Sequence, residues 1–334
     1  MVITVTLADL VLHRLVPYPP PTKEVEDAVR EYAASDPTLL VVGSSHARSF
    51  DSVAARLDRE APGAERIVAL PVELGKLASY EWVLNHRIWP LADERGASGA
   101  LRRPSMRRVI LVTEWWDSCD PDDGQPSYNL PARAWTWGDF VADVAQHGIT
   151  TYNRNYVRNR WTELWERSLL VRDRGHGLLL RRLRGRIRAP SPAAVAAEYE
   201  AQTAQWRRNV EHGVDCIGSP TQMQALNDML DEFAHRGLET TVLLYPRKPG
   251  TLTETAREGT LPRFSAMLQE IASRRGLRFI DLTTTSPLSD DEFAEDFDHL
   301  TGPGHQHFAA WTLDGSLSWL HGAGRPAAVG SATP

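Results

Sequence analysis

Cysteine is scarce in this chain. Its 334 residues carry only Cys119 and Cys216, far apart and in neither a CxxC nor a zinc-ligand spacing, so neither a disulfide framework nor a cysteine-zinc site is expected. A strong charge of one sign is also missing: 37 Lys and Arg stand against 43 Asp and Glu, for a formal net charge of -6. That balance gives no global pull toward nucleic acid or an anionic membrane. Long apolar runs are absent as well. The stretch from Met1 to Arg14 is apolar but has no basic opening and no small-residue cleavage site, and Asp9, His13 and Arg14 interrupt it well before spanning length. A cytoplasmic protein is the default expectation, and a trimmed signal anchor is the other reading of that stretch. No internal repeat is evident. What is present is an ordinary globular composition, 42% hydrophobic, enough for one large α/β domain or two small ones.

Pro17 to Pro21 is a stiff proline-rich stretch, followed by a helical pattern at 23–34 that ends before Asp36-Pro37. Five short runs then read as buried parallel strands: Leu39–Val42, Arg66–Leu70, Val109–Thr113, Thr240–Tyr245 and Arg278–Leu282, each rich in leucine or β-branched residues. Helical patterns alternate with them. This predicts a doubly wound, three-layer α/β fold with right-handed crossovers and active groups at the carboxyl ends of the strands. The interval between the third and fourth runs is too long for one crossover. We read 131–235 as a helical insertion into a core formed by 38–130 and 236–321. An N-terminal segment, 1–37, precedes the core, and a Gly-, Ala-, Pro- and Ser-rich tail, 322–334, is expected to be disordered.

The insertion holds Trp135, Trp137, Trp161, Trp165 and Trp206. Trp161 and Trp165 stand one helical turn apart, which suits a core face better than a ligand box. It also holds a dense arginine series from Arg154 to Arg188. Three readings compete for it: a solvated helix face, a surface for anionic lipid or a phosphate-bearing donor such as an acyl carrier protein, and nucleic-acid binding, the last with no recognised module beside it.

Two short segments at opposite ends carry chemistry. The run from Leu39 to Val42 stops at Gly43 and delivers Ser44, Ser45 and His46, and Asp296-Phe297-Asp298-His299 supplies a carboxylate three residues before an imidazole. Nucleophile, base and orienting carboxylate are the set that acyl transfer requires, because a serine hydroxyl is a weak nucleophile at neutral pH until an imidazole takes its proton. A serine between a strand and a helix sits where backbone N–H groups point outward and the helix dipole favours developing negative charge. Gly43 permits the sharp turn, and the Ser45 amide is placed to donate to an oxyanion. The competing reading of Ser45 is a helix N-cap.

Together these segments resemble the SGNH (GDSL-type) hydrolase superfamily. Gly43-Ser44-Ser45-His46-Ala47 stands where that family writes Gly-Asp-Ser, and Asp296-Phe297-Asp298-His299-Leu300-Thr301 stands where it writes Asp-x-x-His. The strand series fits the family's sheet over most of 38–320 outside the insertion. The resemblance implies a flavodoxin-like α/β/α core with a five-stranded parallel sheet and no cofactor. It implies serine-dependent ester hydrolysis or O-acyl transfer through an acyl-enzyme, the wording looking most like branches that acylate or deacylate cell-surface sugars and polymers. The many tryptophans and the long insertion lean toward a shielded site for a carbohydrate or specialised-metabolite ester, and the arginine series toward an acyl donor or acyl carrier protein as partner. By the resemblance Ser45 would be the nucleophile, His299 the general base and acid, and Asp296 the orienting carboxylate, with Asp298 as its rival. Gly75, in Pro71-Val72-Glu73-Leu74-Gly75, falls where the family places a glycine whose amide helps hold the oxyanion, and it also reads as an ordinary turn glycine. The family's Gly-x-Asn-Asp is absent. In its place stands Val112-Thr113-Glu114-Trp115-Trp116-Asp117, where a carboxylate would oppose oxyanion formation unless protonated or pointed elsewhere. A non-catalytic binding module of the same fold is the alternative that the missing asparagine suits.

Trp115 and Trp116 follow a strand's carboxyl end, where they would stack on a sugar ring, line an acyl pocket or pack the sheet edge. His46 would reach substrate or face its neighbours. Arg247, with Lys248, is placed to meet a substrate anion or to be solvated. Asp296, Asp298, His299, His305 and His307 form a compact Asp/His cluster of the kind a metallohydrolase uses, but no second histidine group with ligand spacing accompanies it, so no metal is expected.

Overall fold

The computed structural model describes residues 20–72, 75–93, 106–119, 141, 144–145, 216–252, 254, 256–283, 285–294 and 299–322. The chain divides into two compact units, Met1–Glu26 with Pro121–Gln202 and Asp27–Asp120 with Thr203–Pro334. The sheet belongs to the second. The tryptophans and arginines predicted to populate the insertion, and the tail from 323, lie outside the described residues.

All five predicted strands form. β1 (Leu39–Gly43), β2 (Ile67–Pro71), β3 (Arg108–Thr113), β4 (Glu239–Leu244) and β5 (Arg278–Asp281) pair in parallel in the order β2-β1-β3-β4-β5. The apolar runs of β1, β2 and β3 follow from cover on both faces, and every residue of β1 is buried, whereas the edge strand β5 is exposed to half-buried. The N-terminal helix α1 (Pro20–Ser35) stops before Asp36, a residue at φ 48°, and Pro37. On one side of the sheet α2 (Ser49–Glu60) packs with the final helix, laying Phe50, Val53, Leu57, Phe308 and Leu313 against Leu39, Val41, Ile110 and Leu243. Helix α3 (Leu77–Val83) packs with α4 (Pro220–His235), and α4 in turn on β4. Helix α5 (Leu261–Arg275) packs on β4 and β5, and α6 (Gly302–Asp314) is the final helix. The result is a three-layer, flavodoxin-like α/β/α fold.

Residues 220–235, counted above in the insertion, are helix α4, the crossover into β4. Ser219 caps it by accepting from the Gln222 amide (3.4 Å), and Pro220 occupies the first turn. The core therefore regains the chain well before residue 236.

The two cysteines correct a second expectation. Cys119 and Cys216 form a disulfide with Cα atoms 4.8 Å apart across 97 residues of sequence. A single long-range bridge has no local spacing signature; it arises because the end of the β3 turn lies against the start of α4. There the Ser219 amide donates to the Ser118 carbonyl (3.0 Å) and the Gly218 amide to the Ser118 hydroxyl (3.2 Å).

The strand order places β2 on one side of β1 and β3 on the other, so the chain reverses direction of winding between β1 and β3. In open α/β sheets the crevice at the carboxyl ends beside such a reversal is where ligands bind. Gly43 closes β1 there, and a Cβ on it would stand 2.5 Å from the Val112 carbonyl oxygen and 2.9 Å from Val112 Cβ. The glycine is thus required by the close approach of β3. Gly43→Ala is expected to cost about 1–3 kcal/mol through overpacking, read as a lower midpoint in urea unfolding; an unchanged midpoint would mean that β3 gives way freely.

Candidate active site

The chain leaving β1 passes through Ser44 in extended conformation and enters a 3₁₀ turn, Ser45–Arg48, that runs directly into α2. Ser45, His46 and Ala47 are buried in this turn. The Ser45 amide donates no hydrogen bond among the described residues, as expected of the first N–H of a helical turn. At the other end of the chain, Phe293 and Leu300 form an antiparallel bridge, and the Ala294 amide donates to the His299 carbonyl (2.7 Å). Thr301 then caps α6, its hydroxyl accepting from the Gly304 amide (3.3 Å). These contacts fix the backbone on which His299 is carried.

The two ends meet at the sheet's carboxyl edge. His299 Nε2 lies 2.5 Å from the Ser45 hydroxyl oxygen across 254 residues of sequence, within reach for proton transfer. Asp296, and its rival Asp298, lie outside the described residues. The pair opens on a cavity of about 260 Å³ lined by Ser45, His46, Arg48 and Ser49 from the turn, Tyr245 just beyond β4, and His299, Leu300 and His305. Burial first, then the charges of His299 and Arg48, push the His305 imidazole below its ordinary range, leaving it a poor proton acceptor beside His299. His307 is engaged elsewhere, its Nδ1 2.7 Å from Glu292. Among the described residues no group of three metal-binding side chains gathers.

Four residues expected to face substrate are placed otherwise. The Gly75 amide donates to the Val72 carbonyl (2.8 Å) within its own turn, and Gly75 does not line the cavity. Trp115 is buried, with its ring edge-on to that of Trp116. Trp116 is covered by Lys76, whose ammonium sits 3.9 Å from the ring centroid and donates to the Trp116 carbonyl (2.6 Å). Arg247 is buried and ion-paired with Glu114. Trp115 and Arg247 are thus taken up inside the protein, whereas Trp116 stays half-exposed beneath Lys76. His46 does line the cavity, and its Nδ1 lies 2.8 Å from the Ser44 hydroxyl.

Of the two carboxylates in the turn after β3, one holds its proton and the other is ion-paired. Burial, then the neighbouring Glu114 charge, push the Asp117 carboxyl up to about 8, so it holds its proton at neutral pH. Its Oδ2 accepts from the Glu114 amide (3.0 Å) and the Thr113 hydroxyl (3.1 Å). Glu114 remains ionised: burial alone would raise it, but Arg247, then His46, Lys76 and His299, together hold it below the usual carboxylate range. Its charge is compensated, and it faces His46, with Oε1 3.7 Å from Nδ1.

Sequence reasoning passed over Arg48, Ser49 and Tyr245. Helical spacing from Ser45 carries a signal for the first two, three and four residues on. Tyr245 is signalled only by its place one residue beyond β4, and its hydroxyl lies 2.5 Å from that of Ser49. A scan against protein-family models finds no match for this chain, and a search of curated proteins finds none similar to it.

Proposed function

We propose that this protein is a serine-dependent ester hydrolase or O-acyltransferase of SGNH type that works through an acyl-enzyme. The observation that carries the proposal is the 2.5 Å contact between the Ser45 hydroxyl and His299 Nε2 at the mouth of a small cavity. Ser45 attacks an acyl carbonyl as His299 takes its proton, and the Ser45 amide donates to the oxyanion that forms. His299 returns the proton to the leaving alkoxide. Water or an acceptor hydroxyl then attacks the acyl-enzyme, and Ser45 is restored. A cavity of about 260 Å³ suits a short acyl group. The ester is proposed to be that of a carbohydrate or a specialised metabolite, a reading that rests on the eleven tryptophans of the sequence and the long insertion.

The Cys119–Cys216 disulfide favours an oxidising compartment, since glutathione and thioredoxin keep most cytosolic thiols reduced. No helix among the described residues is long and apolar enough to cross a membrane.

The test is exposure of the intact protein to a fluorophosphonate probe, followed by mass spectrometry of wild type and Ser45→Ala. One adduct on the Ser45 peptide of wild type, and none in the variant, is expected. Unlabelled wild type would sink the proposal and favour the binding-module reading.

A further inference from the structure

We propose that His46 is a positioning residue that fixes the His299 imidazole against Ser45; the inference rests on the acyl-transfer reading of that pair. The imidazole rings of His46 and His299 are stacked, with centroids 5.3 Å apart and planes 28° from parallel. Behind His46 stands the Tyr245 ring, 4.3 Å away at 26°. Tyr245 is itself held, by its hydroxyl against Ser49 (2.5 Å) and by Phe308, whose centroid lies 5.6 Å away. In the plane of its own ring, His46 Nδ1 meets the Ser44 hydroxyl at 2.8 Å, with Glu114 Oε1 at 3.7 Å. His46 is 3% exposed, so both its tilt and its rotation are set by neighbours.

This matters because Nε2 must stay on the Ser45 hydroxyl for the proton to pass, and a displacement of about 1 Å at a reacting centre costs on the order of 100-fold in rate. His299 itself lies in neither strand nor helix, next to the bridge residue Leu300. The backbone is held by that bridge and by the Ala294 amide, and a wall against the face of the ring holds the side chain as well. Glu114, the residue at the position of the missing asparagine, meets this wall and not the oxyanion. Arg247 carries its countercharge.

Two substitutions separate the ring from its hydrogen bond. His46→Asn keeps a polar group toward Ser44 and removes the ring; His46→Phe keeps a flat ring and removes the hydrogen bond. With a fluorophosphonate as probe, His46→Asn is expected to lower the maximal labelling rate by about 10- to 100-fold, with little change in half-saturating probe concentration, and His46→Phe to recover most of the rate. Spectra of protein labelled with ¹³C at histidine Cε1, with the His299 signal assigned through His299→Asn, give an independent measure. That signal is expected to shift and broaden in His46→Asn and to hold in His46→Phe. Should His46→Asn fail to fold, Tyr245→Leu withdraws the back wall alone and is expected to lower the labelling rate about 3- to 10-fold. Wild-type labelling and an unchanged His299 signal in His46→Asn would overturn the proposal, as would equal losses in the Asn and Phe variants. Wild type that takes no label would instead sink the acyl-transfer reading, with the spectra still deciding whether His46 holds His299.

Discussion

Replacing His299 with alanine is expected to slow the proposed acylation of Ser45 by about ten-thousand- to million-fold, the range found when a member of a serine triad is removed. The proposed chemistry asks one side chain to accept the hydroxyl proton, and the cavity offers little substitute. His46 directs Nδ1 to Ser44. His305 is depressed by burial and by the charges of His299 and Arg48. Glu114 is engaged by Arg247. The measurement is the rate of ester turnover or of fluorophosphonate labelling in His299→Ala, beside a thermal melt to show that the fold is intact. Ser45→Ala should abolish the adduct altogether. Labelling of His299→Ala within about tenfold of wild type would show that another group takes the proton, and the Ser45–His299 pairing would lose its mechanistic meaning.

The second large effect is on stability. The disulfide closes a loop of 97 residues, and in the chain-entropy account a loop of about 100 residues restricts the unfolded chain by about 4–5 kcal/mol, an upper value because native strain and residual structure subtract from it. Cys119→Ser/Cys216→Ser is therefore expected to lose several kcal/mol, on the order of a third of the stability of an ordinary domain. Chemical denaturation of the oxidised protein, the double variant and the reduced wild type measures this directly. The last two should fall together. If all three unfold at one midpoint, the bridge contributes no constraint. The turn from Glu114 to Ser118 abuts the bridge, so loosening there should also weaken acylation through Glu114 and His46.

The sheet was legible because burial on both faces writes itself as unbroken runs of Leu, Val and Ile, as in Leu39–Val42, and no reading of the neighbours is needed to see them. Ser45 was legible because the fold brings strand ends to one edge, so a residue just past a strand is a candidate; His299, well beyond the end of β5, was legible only as the histidine of an Asp-x-x-His pattern. Partners chosen by charge were not legible. Glu114 and Arg247 are 133 residues apart, and only the register of β3 beside β4 brings them together. The same is true of Cys119 and Cys216. Position at a strand end does not say which way a ring turns: Trp115 is buried, and the Lys76 ammonium lies over the Trp116 ring. Helix α4 was assigned to the insertion since a helical pattern adjoining a long helical segment carries no mark of which body it packs on.

With Cys119 and Cys216 clasped and Ser118 tied to Gly218 and Ser219, the segment between them departs and returns through a fixed neck. Lengthening or exchanging such a segment changes the closure entropy by only about 0.6 kcal/mol for each doubling. The neck is thus expected to leave the sheet and its serine indifferent to how many residues the chain spends between its two sides.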